Sequence, residues 1–193
     1  MYKNMSEILK DGEVGEFKLE HFEIKHQNCY AMINGITPGT YVKLTQNNQI
    51  VMSNTQMEER TNKEFVEAAH GDVLIGGLGI GMIILAIQEK ETVKSITIIE
   101  KNKEVIELIE HQLQLNSKVK IINDDVFNYK PTQKFNTIYM DIWNYINEDV
   151  YENEMKPLIK IKSFPWQINL FISMRHITSS FKCTICSIST TRS

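Results

Sequence analysis

Between Phe17 and Lys25 the chain reads FKLEHFEIK, apolar and polar positions alternating with the two-residue period of a strand buried on one face. Further on, YAMINGI and TYVKL are two β-prone runs on either side of Pro38-Gly39, the chemistry of a tight turn. A second polar turn, Gln46-Asn47-Asn48-Gln49, leads into IVMS. Together these runs predict a small antiparallel meander over residues 17–53. Thr55 and Glu58 then stand at the spacing of a capping box. They predict a helix through EERTNKEFVEAAH that Gly71 can end.

From Gly71 onward the period changes to strand and helix in alternation. DVLIG is a short apolar strand, MIILAIQEK a helix, SITIIE a second strand, VKIIN a third and NTIYMD a fourth. KEVIELIEHQLQL brings Val105, Ile106, Leu108, Ile109 and Leu113 to helical spacing, with Asn102 placed to cap it. Apolar strands separated by helices predict a parallel sheet with right-handed crossovers. The expected fold is α/β, a Rossmann-like doubly wound and mostly parallel sheet behind a small β-rich extension. The expected organisation is an extension over 1–54, the α/β domain over 55–160 and an atypical tail over 161–193. No internal repeat is visible.

Composition narrows the function classes. At 193 residues, 42% hydrophobic and 23% charged, the chain suits one globular domain, or one domain plus a small appendage. A net charge of −3 and a pI near 6.0 leave no electrostatic footprint for nucleic acid or an anionic membrane. MYKNMSEILKDGEVGEF lacks the apolar core of a secretory signal. Cys29, Cys183 and Cys186 are too few for a disulfide framework, so a reducing, cytoplasmic setting is expected. The charge is uneven: all 24 acidic residues precede residue 155, while residues 155–193 hold six Lys or Arg and no acid. QINLFISM fits a fifth strand, but SSFKCTICSISTTRS has neither period, which points to an altered terminus such as a frameshift or truncation.

The candidate chemistry centres on GDVLIGGLGIGMI, residues 71–83. A dinucleotide turn starting at Gly77 and Gly79 needs a small residue where Met82 stands; starting at Gly79 and Gly81, it needs one where Ile84 stands. A P-loop needs a lysine, and there is none between Asp72 and Gln88. The five histidines have no metal spacing, no Ser-His-Asp arrangement stands out, and Cys183-Thr-Ile-Cys186 is a lone pair, so no metal is expected. What remains is Gly77-x-Gly79-x-Gly81 with an acid at the end of each following strand: Glu100, then Asp124 and Asp125, then Asp141. Glu100 also suits the N-terminal charge of a helix, and Asp125 a turn.

This pattern resembles the first motif of class I S-adenosylmethionine-dependent methyltransferases. VLIGGLGIGM is similar to the version in the spermidine-synthase-like branch, whose members carry a β-rich N-terminal extension. The resemblance runs from about Val51 to Glu154. It implies that Gly76, Gly77, Gly79 and Gly81 accommodate the methionine part of S-adenosylmethionine or its decarboxylated form. It further implies that Glu100 holds the ribose with Lys101 beside it, and that Asp125 meets the adenine with Asp124 in the place of the family's glycine. Asp141 would sit at the reacting centre as the candidate catalytic base, with Trp143 and Tyr145 flanking an acceptor pocket or simply packing. MDIWNYINED departs from the Asp-x-x-Asp-Pro of true spermidine synthases, Asn144 standing where the second acid belongs. The implied activity is methyl transfer to a small-molecule acceptor that the sequence does not identify. The rivals are polyamine aminopropyl transfer and a non-catalytic binding module. The resemblance leaves room for a homodimer and implies neither a nucleic-acid nor a membrane partner.

Overall fold

The computed structural model describes residues 2–26, 29–143, 147–156 and 158, with the backbone of 169–172. A one-turn helix α1 (Met5–Ile8) precedes β1 (Gly12–Val14) and β2 (Phe17–Ile24). β2 pairs antiparallel with β3 (Gly39–Gln46) along its whole length, Phe17 opposite Gln46 and Ile24 opposite Gly39. β4 (Gln49–Ser53) completes a four-stranded sheet of order β1-β2-β3-β4. The β3–β4 hairpin turns on Asn47 and Asn48, whose φ values of 49° and 65° are the two left-handed positions that a type I′ turn requires and asparagine tolerates.

YAMINGI departs from expectation. It forms helix α2 (Cys29–Ile33) and a turn, so β2 and β3 are joined through a helix, and Pro38-Gly39 enters β3 instead of closing a hairpin. Ala31 packs with Ile36 and Tyr41 while Tyr30, Met32 and Ile33 face outward, a pattern no alternating strand gives. The Arg60 guanidinium fastens this turn through the Asn34 and Gly35 carbonyls.

Helix α3 (Gln56–Ala68) begins where the capping box placed it, but the box itself does not form. The Thr55 hydroxyl pairs with Ser53 Oγ at 3.2 Å, and the Glu58 amide bonds the Thr55 carbonyl instead. Nor does Gly71 end the helix. The Ala69 amide closes it on Phe65 O at 2.8 Å, and Gly71 opens the next strand. Phe65 of α3 stacks on Tyr139, ring centroids 4.4 Å apart, and the Tyr139 hydroxyl bonds the buried Asn62 amide.

The remainder alternates as expected: β5 (Gly71–Gly76), α4 (Met82–Ile87), β6 (Val93–Glu100), α5 (Lys103–Ile109), β7 (Val119–Asn123) and β8 (Thr137–Met140). β9 (Asn169–Ile172), within QINLFISM, is the fifth strand. All neighbours are parallel, in the order β7-β6-β5-β8-β9, a doubly wound sheet.

Side chains alternate across this sheet with the period of two that strands impose. Val73, Ile75, Ile96, Ile98 and Tyr139 enter the core shared with α3, α4 and α5; Leu74, Ile99, Ile138 and Met140 enter another with Val126 and Phe135. All six residues of α4 are buried. Phe17, Leu19, Val42, Leu44 and Met52 of the meander belong to the first core, which fixes the meander onto the helical layer. Among the described residues no helix is long and apolar enough to cross a membrane, and no His, Cys, Asp or Glu cluster has the makings of a metal site. Asn144, Tyr145, the Cys183–Cys186 pair and the tail beyond β9 lie outside the described residues.

Candidate functional site

After β5 the chain winds outward through β6 and β7, then returns to the other side of β5 with β8. Strand order reverses between β5 and β8, and doubly wound sheets bind ligands in the crevice at the carboxyl ends there. A cavity of about 310 Å³ occupies this place, within the range of small-ligand sites. Gly77 and Gly79 line it after β5, Glu100 to Asn102 after β6, Asp125 to Phe127 after β7, and Asp141 to Trp143 after β8. The meander supplies the opposite wall through Phe17, Leu44, Gln46, Val51 and Met52.

The turn after β5 needs its glycines for different reasons. Gly77 has φ of 93°, and a Cβ there would lie 2.8 Å from the Asp141 carbonyl oxygen. Gly79 has φ of 53°, and its missing side chain makes way for Met52 Sδ from the meander. Three amides tie the turn down. Gly77 N donates to Ile99 O at 2.9 Å, Leu78 N to Glu100 Oε2 at 2.8 Å and Ile80 N to Met52 Sδ at 3.4 Å.

Glu100 is buried at the end of β6 and is the hinge pin of the site. While Oε2 takes the Leu78 amide, Oε1 takes the Asn102 amide at 2.8 Å and Asn102 Nδ2 at 3.1 Å. Asp125 follows β7. Its Oδ1 accepts from the Phe127 amide at 3.0 Å and its Oδ2 meets Lys101 Nζ at 3.0 Å. Burial pushes the Asp125 carboxyl up, but the Phe127 amide and the Lys101 ammonium outweigh it and hold the group below the usual carboxylate range. Asp141 is half-buried after β8, its amide bonded to Gly76 O at 3.0 Å, which joins the β8 end to the glycine turn.

Of the residues expected from the sequence, Gly77, Gly79, Glu100, Lys101, Asp125 and Asp141 therefore share one cavity, and Trp143 joins them. Gly76, Gly81 and Asp124 do not line it. Gly76 closes β5 against Met140, Gly81 opens α4, and Asp124 turns the chain by accepting the Asp125 amide at 2.8 Å. Asn102 was expected as a helix cap. It stands at that position, but its side chain makes no capping bond and faces Glu100 instead. Glu154, whose carboxylate accepts from Trp143 Nε1 at 2.8 Å, and the meander wall are additions that sequence reasoning missed. Asn102 had a signal in its position two residues past Glu100; the meander wall had none, because it depends on how one sheet packs over the other.

No protein-family model matches the chain, and no curated protein matches it in sequence. Solved structures similar to it include DhpI in complex with SAH, at 16% identity over 60% of this chain and 56% of that one, TM-score 0.46. Another is the plantazolicin methyltransferase BpumL in complex with SAH, at 19% identity over 58% of this chain and 42% of that one, TM-score 0.40. A third is spermidine synthase from Thermotoga maritima, at 17% identity over 70% of this chain and 48% of that one, TM-score 0.45. The chain thus spans about half the length of these structures.

Proposed function

We propose that the cavity binds the S-adenosyl nucleoside and that the chain is a transferase of the class I methyltransferase kind. One observation carries this reading: glycine turn, Glu100, Asp125 and Asp141, found in that order along the sequence, converge on one cavity at the switch point. The donor set fits the group. A buried carboxylate accepts hydrogen bonds from vicinal ribose hydroxyls, an ionised Asp125 accepts from an exocyclic amine, and glycines let the ligand approach the backbone. When bound, the nucleoside would supply an alkyl group made electrophilic by its sulfonium.

The chain's part is positioning more than covalent chemistry. Glu100 and Asp125 would fix the nucleoside at the β6 and β7 ends, which leaves the β8 end for the acceptor. Asp141 lines that end, where its carboxylate would orient an acceptor N–H or O–H and take its proton as the new bond to carbon forms and the carbon–sulfur bond breaks, its electron pair returning to sulfur. Phe17, Leu44, Val51 and Met52 exclude water from the opposite side.

A second reading, aminopropyl transfer to a polyamine, is favoured by the charges lining the cavity. Asp141 and Glu154 bring two carboxylates, and the cation of Lys101 is paired with Asp125. Such a lining attracts an ammonium and repels a carboxylate.

Thermal-shift titration with S-adenosylmethionine, its decarboxylated form, S-adenosylhomocysteine and NAD tests both readings. Stabilisation by the three S-adenosyl compounds and not by NAD is expected. A preference for the decarboxylated form, with further stabilisation by putrescine, selects the second reading. Silence from all three S-adenosyl compounds ends both.

A further inference from the structure

Asn102 stands at the mouth of α5, where its side chain was expected to cap the helix, yet it spends its amide on Glu100. A carboxylate oxygen has room for about two hydrogen bonds, so Glu100 offers about four acceptor positions. Three are filled. Oε1 carries two donors, both from Asn102, and Oε2 carries the Leu78 amide. A vicinal diol brings two hydroxyls, and one position remains for them.

The three donors are not equally free to leave. Leu78 N belongs to the glycine turn, and Asn102 N is fixed because the Asn102 carbonyl already accepts the Val105 and Ile106 amides at the start of α5. The Asn102 side chain has no such tether. Its bond to Oε1, at 3.1 Å, is the longest of the three, and the residue lines the cavity. Rotation about its side-chain torsions opens Oε1 without moving any backbone.

Resting on the nucleoside reading, we infer that Asn102 is a specificity-determining residue whose side-chain amide holds the Glu100 position taken by the second hydroxyl of the ribose. In the free protein the amide supplies one of the buried carboxylate's hydrogen bonds. On binding, a hydroxyl replaces it, one donor exchanged for another. The second hydroxyl therefore gains little net affinity, and the site distinguishes a diol from a single hydroxyl only weakly. With the amide removed, the second hydroxyl fills an empty acceptor position and its full contribution appears in the affinity.

The test is a double comparison by calorimetry: S-adenosylhomocysteine and its 2′-deoxy analogue, each against wild type and Asn102→Ala. The expected loss on deoxygenation is about threefold or less in wild type and about tenfold or more in Asn102→Ala, the difference a hydrogen bond to a charged group supplies. An unchanged ratio overturns the inference and leaves the nucleoside reading intact. No binding of S-adenosylhomocysteine to wild type overturns the nucleoside reading, and the inference with it. A second measurement needs no variant. In wild type, the Asn102 side-chain amide resonance moves when S-adenosylhomocysteine is added and stays with the 2′-deoxy analogue; equal movement with both overturns the inference.

Discussion

Glu100 serves two purposes with one carboxylate. It pins the glycine turn to β6 through the Leu78 amide, and on the proposed nucleoside reading it would be the acceptor for the ribose diol. Replacing it therefore acts on both. In Glu100→Ala the Leu78 N–H is left buried without its partner, at a cost of about 1–3 kcal/mol measurable by urea denaturation. Binding of S-adenosylhomocysteine falls by about tenfold or more in the same variant. A variant with wild-type affinity and wild-type stability would show that this carboxylate does neither job. Glu100 was legible in the sequence because strand, length and final acid coincide in SITIIE. Its partner Asn102 was legible only as a cap, since sequence position says where a side chain starts and not which of two nearby polar groups it reaches.

At the scale of elements, the N-terminal pieces are held by a histidine whose pKa its partners raise. His21 of β2 points one ring nitrogen at Asp11 Oδ1, 2.5 Å away, and the other at the Ser6 carbonyl of α1, 2.8 Å away. The hydrogen bond to Asp11, then that to the Ser6 carbonyl, raises the His21 pKa against the opposing effect of burial, and His21 in turn lowers Asp11. Lys18 is the other charge that favours ionised Asp11. The sign follows from the two directions. The His21 contribution is complete below its ordinary value of about 6.5 and is lost as pH rises through the raised one. The Asp11 contribution is complete above its ordinary value and is lost as pH falls through the lowered one. In wild type the melting temperature is expected to fall as pH rises from about 6.5 through the raised His21 value. In His21→Gln that slope should flatten; an identical slope would place the pH dependence elsewhere.

The meander meets the glycine turn through one side chain of β4. Met52 Sδ accepts the Ile80 amide and fills the space beside Gly79. Met52→Ala is expected to cost about 2–5 kcal/mol, while Met52→Leu, close in volume, costs less than about 1.5. Denaturant titration of the two variants measures both, and equal losses would mean that the sulfur, not the packing, dominates. None of this coupling was readable beforehand. IVMS announces a strand, but the residue it will touch lies 28 positions away. The helix α2 was hidden for a related reason: Tyr30 and Ile33 are β-prone by type, and only the exposure of Tyr30, Met32 and Ile33 around a buried Ala31 distinguishes a helical turn.

Over the whole molecule, two sheets of different construction share one core and enclose one cavity. The parallel sheet was legible nearly strand by strand, because strands buried on both faces read as continuous apolar runs between glycine, asparagine and aspartate turns. Its carboxyl ends carry Glu100, Asp125 and Asp141, the acids that the family resemblance implied, so half of the cavity could be anticipated through that resemblance. The other half comes from the meander, whose placement depends on long-range packing of Leu19, Leu44 and Met52. On the proposed reading, these halves close around an S-adenosyl nucleoside. A crystal structure grown with S-adenosylhomocysteine tests it most directly. The ligand is expected between the glycine turn and the meander, its ribose hydroxyls on Glu100 and its adenine amine toward Asp125. A ligand bound elsewhere, or one in this cavity with its ribose turned away from Glu100, would contradict it.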